Sequence, residues 1–211
     1  MIKHFLCHRG LRSLSVCGLV TTAVAVMAAA PALANRIDES GMHWGDTSTC
    51  VAPTPTQPFL SARDSNWYTL VPGETPGSFD GDGWTLSGGA SIQPGQNGAR
   101  SALNLPSGSK AISPPMCVSA DYPTARTLVR NVKGAEGVQV LVAYAGTRTV
   151  SQAQTVGQVH GQGSAWTLSG SLNIHPGSLP GWQLVRFTLV PGGTASDFQV
   201  YDFYVDPHMR Y

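Results

Sequence analysis

Residues 198–205 read Phe-Gln-Val-Tyr-Asp-Phe-Tyr-Val, a run of β-branched and aromatic residues near the end of the 211-residue chain. Strict strand alternation divides this run into two faces, Phe198, Val200, Asp202 and Tyr204 on one and Gln199, Tyr201, Phe203 and Val205 on the other. Both faces carry apolar side chains. The run therefore predicts a central strand that is covered on both sides.

Short runs of the same kind recur along the chain, separated by Gly, Pro, Ser and Asn, and no stretch shows a sustained helical period. The predicted strands are 66–70, 83–86, 90–93, 102–105, 111–113, 116–118, 127–133, 138–144, 165–168, 183–190 and 197–205. Many short strands joined by turns predict an all-β fold. We expect a two-sheet antiparallel β-sandwich of the jelly-roll type.

The composition agrees with this fold class and excludes others. Charged residues make up 12% of the chain, hydrophobic residues 42%, and the net charge is +1. The 24 glycines show no period of three, which excludes a collagen-like helix. The hydrophobic content argues against disorder, and the scarcity of Lys and Arg excludes binding to nucleic acid through phosphate neutralisation.

Residues 1–34 have the pattern of a secretory signal peptide. Three basic residues precede an uncharged apolar stretch at 14–30, and Ala32-Leu33-Ala34 forms a small-x-small cleavage site. A permanent membrane anchor is the alternative, since the stretch is at the short end of a span. Cleavage would leave 10 basic and 12 acidic residues, a net charge of −2. We expect a secreted, extracellular protein with no basic face for membranes or nucleic acid.

Residues 35–58 are rich in proline and polar residues and predict an extended N-terminal arm, which leaves 59–211 as the sandwich domain. Cys50 and Cys117 remain after signal cleavage, and an even number of cysteines outside the cell predicts a disulfide. A metal role is the alternative, although no second cysteine lies at C-x-x-C spacing.

Catalytic motifs are missing from the sequence. It contains no G-x-S-x-G, no H-E-x-x-H, no P-loop and no G-x-G-x-x-G opening a helix. Acidic residues are few, and a glycosidase needs two carboxylates that face one cleft. Asp80 with Asp202 is a candidate pair on paper, but its sequence context indicates another role.

That context is residues 78–91, Ser-Phe-Asp-Gly-Asp-Gly-Trp-Thr-Leu-Ser-Gly-Gly-Ala-Ser. It resembles the opening of carbohydrate-binding modules of the family 4/9 type, in which Phe and an acidic residue precede a Gly-containing turn, Gly-Trp and a strand. Such modules also end on a strand with an Asp near its middle, as 198–206 does here. The resemblance covers residues 65–206 and implies a jelly roll whose first and last strands are neighbours.

In modules of this type a structural Ca²⁺ often lies where the first and last strands meet. Carried over by position, Asp80 and Asp202 would be ligands, and Asp82 could add a second carboxylate in the same turn. Calcium also takes backbone carbonyls and water as ligands. The alternative is a turn in which Asp caps backbone amides and no metal binds.

A second resemblance spans almost the whole chain after the signal peptide. The motifs W-Y-T-L-V-P-G, G-W-T-L-S-G-G-A, L-P-S-G-S-K-A-I-S-P-P-M-C-V, Y-P-T-A-R and Y-V-D-P are shared with a group of secreted actinobacterial proteins. They lie at 67–73, 83–90, 105–118, 122–126 and 204–207. This resemblance implies a jelly-roll, galactose-binding-like sandwich and brings no activity with it.

Sugar binding needs an exposed aromatic face together with a few amides or charged groups. Residues 156–166 suit this best, since their glycines predict a mobile loop. Six candidate ligand-binding residues lie in or near it: Tyr144, Arg148, Gln158, His160, Gln162 and Trp166. The alternative is a plain surface loop with Trp166 in the core, as we expect for Trp84, which begins a similar strand.

Arg126 and Arg130 lie on one face of a predicted strand. An arginine in a low-charge sandwich usually pairs with a carboxylate, although it could instead hold an acidic sugar. Taken together, the sequence predicts a secreted, non-catalytic sandwich that binds a polysaccharide or cell-surface glycan. An extracellular structural or adhesion domain without a small ligand is the first alternative, and a hydrolase or lyase on a jelly-roll scaffold is the second.

Overall fold

A computed structural model describes residues 46–94, 100–119, 124–145, 153–174 and 181–206. The predicted signal peptide, the first part of the predicted arm and Arg148 lie outside these residues, and the domain boundaries stay predictions. The described residues form strands and one short 3₁₀ turn, Leu60–Ala62, with no α-helix among them. In this part of the chain we find no helix with the length and apolarity needed to cross a membrane.

The described strands, in chain order, are β1 (Thr69–Leu70), β2 (Glu74–Thr75), β3 (Ser78–Phe79), β4 (Thr85–Ser87), β5 (Ser91–Gln93), β6 (Ala102–Pro106), β7 (Lys110–Ile112), β8 (Met116–Val118), β9 (Thr124–Lys133), β10 (Val138–Ala145), β11 (Gln154–Val159), β12 (Thr167–Leu168), β13 (Leu172–Asn173), β14 (Gln183–Pro191) and β15 (Asp197–Asp206).

These strands form two antiparallel sheets, which confirms the predicted all-β sandwich. The seven-stranded sheet has the order β12-β9-β15-β6-β5, with β1 also paired to β15 and β13 to β9. The six-stranded sheet has the order β11-β10-β14-β7-β4, with β8 also paired to β14. Strands β2 and β3 form a separate hairpin.

The core lies between the inner faces of the two sheets. Alternate side chains of the long strands are buried there, including Val138, Val140 and Val142 of β10 and Phe187 of β14. The Phe187 ring meets the Phe203 ring of the opposite sheet edge to face, with centroids 4.8 Å apart. Because each strand buries one side chain in two, the intervening side chains form the outer faces of the sandwich.

The last strand departs from strict alternation at Asp202. This residue has a left-handed backbone (φ 56°), and the register of β15 against β9 shifts between Tyr201 and Tyr204. The extra residue of such a bulge exchanges the two faces of the strand. Phe203 and Val205 therefore join the core, while Tyr204 points outward. The predicted division of residues 198–205 is correct up to Tyr201 and wrong beyond it.

Tyr204 packs outside the core in an aromatic cluster with Phe59 and Tyr68, whose ring centroids lie 5.4 and 6.3 Å from its own. Asp64 fixes this cluster, because its carboxylate accepts hydrogen bonds from the Tyr68 hydroxyl (2.6 Å) and the Arg126 guanidinium (2.9 Å). The cluster covers β15 from outside, as predicted for a central strand. Arg126 has the carboxylate partner that we expected for an arginine here.

The disulfide between Cys50 and Cys117 is present, with 5.7 Å between the two Cα atoms. Cys117 lies in β8 of the six-stranded sheet. Just after the predicted arm, Phe59 and Tyr68 pack on the seven-stranded sheet. The disulfide and the aromatic cluster thus fasten one segment to both sheets.

One expectation from the sequence differs from the structure, and a second, a core position for the two similar tryptophans, holds for only one of them. Residues 156–159, expected to begin a mobile loop, belong to strand β11, which pairs with β10. Its Gln and Gly residues interrupt the strand signal of its Thr and Val residues, and pairing with β10 decides the outcome. Trp84 is buried and its indole N–H donates to the Pro72 carbonyl (3.0 Å), whereas Trp166 lies half-buried on an outer face.

We expect the disulfide to contribute strongly to stability. It closes a separation of 67 residues, for which the chain-entropy model gives about 4 kcal/mol. Replacing both Cys50 and Cys117 by Ala should lower the free energy of unfolding in urea by about that amount. Dithiothreitol should destabilise the wild type and leave the double variant unchanged. Equal unfolding midpoints for wild type and variant would contradict this role.

Candidate functional site

A row of polar side chains crosses the outer face of the seven-stranded sheet. The register places Ser91 of β5 opposite Asn104 of β6, Asn104 opposite Gln199 of β15, and Gln199 opposite Arg130 of β9. Their neighbours along each strand, such as Val129 and Phe198, face the core. This pattern leaves the polar side chains on the outside. We call Asn104, Gln199, Arg130 and the adjoining Trp166 the outer row.

Hydrogen bonds join the members of the outer row. Arg130 donates from Nε (2.9 Å) and Nη2 (2.5 Å) to Oε1 of Gln199. Gln199 in turn donates from Nε2 to Oδ1 of Asn104 (3.1 Å). Each amide has its orientation fixed by its neighbour, because donors and acceptors alternate along the chain of bonds. The row is therefore ordered before any ligand binds.

Trp166 completes the row at the β9 side. The Arg130 guanidinium carbon lies 4.7 Å from the centroid of the indole ring, a cation–π contact. The Tyr201 ring meets the indole edge to face, with centroids 4.4 Å apart. Trp166 remains half-buried, so part of its ring faces solvent. These contacts hold the indole in one place beside the polar groups.

The segment before Trp166 is held against β9 by backbone hydrogen bonds. The Gly161 N–H donates to Oδ1 of Asn131 (3.1 Å), and the Asn131 N–H donates to the Gly163 carbonyl (2.8 Å). A β-carbon at Gly161 would lie 2.7 Å from Cα of Arg130, so this close approach requires glycine. Gly161 and Gly163 lie in the predicted loop, and these two hydrogen bonds hold that loop against β9.

Titratable groups flank the row along β15, because Asp197 and Tyr201 lie on either side of Gln199 on the same face of the strand. Burial raises the pKa of the Asp197 carboxyl, and the Asn104 side chain and the Lys133 charge oppose this shift. On the other side, burial raises the pKa of the Tyr201 hydroxyl, the Asp202 charge adds to the shift, and Arg100 and Arg130 oppose it. The Tyr201 hydroxyl thus interacts electrostatically with the guanidinium groups of Arg100 and Arg130.

The structure brings few of the predicted ligand-binding residues together. Trp166 joins the outer row, and Gln162 is exposed in the turn that pairs with Ala165 just before it. Gln158 lies on the six-stranded sheet opposite Gln139, and His160 is exposed just after the same strand.

Tyr144 has a structural partner in place of a ligand. Its hydroxyl donates a hydrogen bond to the Ile174 carbonyl, its ring packs against the core, and burial raises its pKa. Asn104, Gln199 and Tyr201 were not among the predicted site residues. Alternation gives Gln199 and Tyr201 a common face, but the pairing of β15 with β6 and β9 cannot be read from the sequence.

The acidic residues of the predicted metal site lie around the contact between the β2–β3 hairpin and β15. Asp80 and Asp82 are exposed, whereas Asp202 is buried and its Oδ1 accepts a hydrogen bond from the Gly77 N–H (2.5 Å). The carboxyl group of Glu74, a residue that sequence reasoning missed, is also buried there, although Glu74 as a whole is half-buried. Its Oε2 accepts from the Phe203 N–H (3.2 Å), and its Oε1 has no hydrogen-bond partner.

The charge of Asp202 acts on the buried carboxyl of Glu74. Burial raises the pKa of Glu74 well above its ordinary value, and the Asp202 charge raises it further. Burial also raises the pKa of Asp202, against the effects of the Gly77 N–H and of Arg100. Within the described ranges, no three His, Cys, Asp or Glu side chains are grouped so as to hold a metal ion. The hydrogen bonds to Gly77 and Phe203 fasten the hairpin to the bulge.

Several carbohydrate-binding modules of known structure are similar to this chain at low identity. A family 61 module in complex with β-1,4-galactotriose is 13% identical, with a TM-score of 0.37 over 61% of this chain and 90% of the module. A xylan-binding domain of family 22 is 13% identical, with a TM-score of 0.44 over 70% of this chain and 99% of the domain. A family 36 module in complex with calcium and xylotriose is 14% identical, with a TM-score of 0.35 over 58% and 97%.

No protein-family model matches the sequence, and no curated protein matches it. Identities and TM-scores this low give no information about the ligand of this chain.

The buried carboxyl of Glu74 predicts a pH-dependent stability. Because its pKa is raised on folding, it contributes stability that is full below its ordinary value of 4.5 and is lost as the pH rises through the folded value. Glu74→Gln should remove this loss. In urea unfolding with EDTA, the stability of the variant relative to the wild type should increase as the pH rises from acid to neutral. Asp80→Asn, at an exposed carboxyl, is the control. A pH-independent difference between Glu74→Gln and wild type would refute the prediction.

Proposed function

We propose that this chain is a secreted, non-catalytic domain that binds carbohydrate or a cell-surface polymer. The observation that carries the proposal is the outer row, in which two amides, a guanidinium and a half-exposed indole lie side by side in fixed orientations. Amide and guanidinium groups donate and accept hydrogen bonds with sugar hydroxyls, and an indole face packs against the apolar face of a sugar ring.

The size and position of the row suit a polymer. It crosses β6, β15 and β9, and Ser91 on the adjacent β5 extends the polar surface to a fourth strand of the same sheet. With strands about 4.8 Å apart, Ser91 and Arg130 are separated by roughly 14 Å. An extended oligosaccharide can contact a surface of this length at several points, whereas a single small molecule would leave most of it unused.

An extracellular location is part of the proposal. The pattern of residues 1–34 supports export, and the Cys50–Cys117 disulfide supports an oxidising compartment. The buried carboxyls give no support to catalysis, since those of Glu74 and Asp202 are enclosed and bonded to backbone amides.

We expect Trp166→Ala to weaken polysaccharide binding by about tenfold, because an aromatic side chain that the ligand covers contributes much of the binding energy. Trp166→Phe should retain part of the affinity. Gln158→Ala, on the outer face of the other sheet, is the matched control and should bind as the wild type does. The measurement is affinity electrophoresis against a panel of polysaccharides, with melting temperatures to verify folding. If no polysaccharide retards the wild type, the proposal fails in favour of a structural or adhesion domain. If Trp166→Ala binds unchanged, the outer row is not the binding surface.

We also propose a structural Ca²⁺ near Asp80, Asp82 and Asp202. Because no three of the described carboxylates converge there, backbone carbonyls and water would supply most of its ligands. The oxygen Oε1 of Glu74, buried without a hydrogen-bond partner, fits the demand of a cation for oxygen ligands. Such an ion would offset the mutual repulsion of Glu74 and Asp202. Its role would be to fasten the β2–β3 hairpin to β15.

Excess CaCl₂ should therefore raise the melting temperature by several degrees relative to EDTA, because a ligand bound only by the folded state stabilises it. Asp202→Asn, which keeps an oxygen for Gly77 and removes the charge, should lose most of this shift. Identical melting temperatures in EDTA and CaCl₂ would refute the calcium site.

A further inference from the structure

We propose that the outer row prefers acidic polysaccharides and holds the anionic group of the polymer between Arg130 and Arg100, beside Tyr201. This inference rests on the proposed carbohydrate-binding function. It adds the chemical class of the ligand and a subsite that includes Arg100, a residue outside the outer row.

Arg130 keeps its positive charge uncompensated by a carboxylate. Its hydrogen bonds go to the neutral amide of Gln199, and its flat face lies over the indole of Trp166. Among the residues that the structure describes, Arg126 pairs with Asp64, and no carboxylate pairs with Arg130. Because Gln199 occupies Nε and one hydrogen of Nη2, the Nη1 side of the guanidinium fork is left to meet a ligand.

Arg100 supplies a second guanidinium on the other side of Tyr201. Arg100 is exposed, and its guanidinium packs directly over Gly77, where an added β-carbon would lie 1.7 Å from Nη1. Gly77 has a φ of +81°, so both its backbone conformation and this contact require glycine. Gly77 also donates its N–H to Asp202. The hairpin therefore places Arg100 beside the bulge of β15.

The hydroxyl of Tyr201 interacts electrostatically with both Arg100 and Arg130. Its pKa is raised first by burial and next by the charge of Asp202, while both Arg100 and Arg130 act to lower it. Its ring also contacts Trp166 edge to face. One hydroxyl thus lies within the electrostatic reach of both guanidinium groups and beside the aromatic part of the row.

The neighbouring acids form no ion pair with either guanidinium among the described residues. The Asp202 carboxylate is buried and accepts the Gly77 N–H, and its charge interacts with Arg100, whereas Arg130 has no such partner in the described ranges. Asp197, at the start of β15, interacts with the Asn104 side chain and the Lys133 charge. A planar guanidinium donates paired hydrogen bonds to a carboxylate or a phosphate. The matching anionic groups in polysaccharides are the carboxylate of a uronic acid and the phosphodiester of a polyol phosphate.

Binding of the full chain to three polymers tests the inference, at low salt and in added NaCl: polygalacturonate, a glycerol-phosphate polymer and a neutral galactan. We expect one or both acidic polymers to bind more tightly than the galactan, and salt to weaken that binding. Arg130→Gln and Arg100→Gln should each weaken it by about tenfold, as expected for the loss of a hydrogen bond to a charged group. Lys110→Gln, which removes an exposed positive charge from the six-stranded sheet, is the matched control and should have no effect.

The outcomes distinguish the preference for acidic polymers from carbohydrate binding itself. Tighter binding of either acidic polymer, lost in both arginine variants, supports the inference, and the two acidic polymers distinguish carboxylate from phosphate. Salt-insensitive binding of the galactan with equal or higher affinity overturns the inference and leaves carbohydrate binding intact. No binding to any polymer overturns both. Arg130 is half-buried, so if its variant fails to fold, the exposed Arg100 decides: unchanged affinity in Arg100→Gln overturns the inference.

Discussion

One residue in a left-handed conformation, Asp202, determines which side chains of the last strand reach each face of the sandwich. Its carboxylate accepts the Gly77 N–H, and this hydrogen bond joins the bulge to the β2–β3 hairpin. Before the bulge, Gln199 and Tyr201 point outward. After it, Phe203 enters the core. Without the extra residue, Phe203 would lie on the outer face of the sheet and Tyr204 would point into the core.

The outer face of the seven-stranded sheet has two parts because of this bulge. On one side, Tyr204 is covered by Phe59 and Tyr68, and the Asp64–Arg126 ion pair holds the covering segment in place. On the other side the outer row is left uncovered. The disulfide fastens the same covering segment to the second sheet. The N-terminal segment thus stabilises the sandwich and leaves part of one face accessible to a ligand.

The fold class could be predicted from the sequence, whereas the site could be predicted only in part. Alternation and turn residues located most long strands within a few residues, because a half-buried strand imposes a period of two. Strand β11 was missed because Gln and Gly residues interrupt its Thr and Val residues, and the glycines around it indicate a loop. Trp166 and Arg130 were identified as candidates, but their contact depends on Gly161 lying against β9. Such register and packing arise from pairing between distant segments, which local sequence patterns do not encode.

An NMR titration of the isotopically labelled protein, with oligosaccharides of a polymer that it binds, tests most directly whether the outer row is the binding surface. We predict chemical-shift changes at the side-chain amides of Asn104 and Gln199 and at the indole N–H of Trp166. We predict little change at Thr155 and Thr188, on the outer face of the six-stranded sheet. Changes concentrated on that second sheet, with the outer row unaffected, would contradict the central claim that the outer row is the carbohydrate-binding surface.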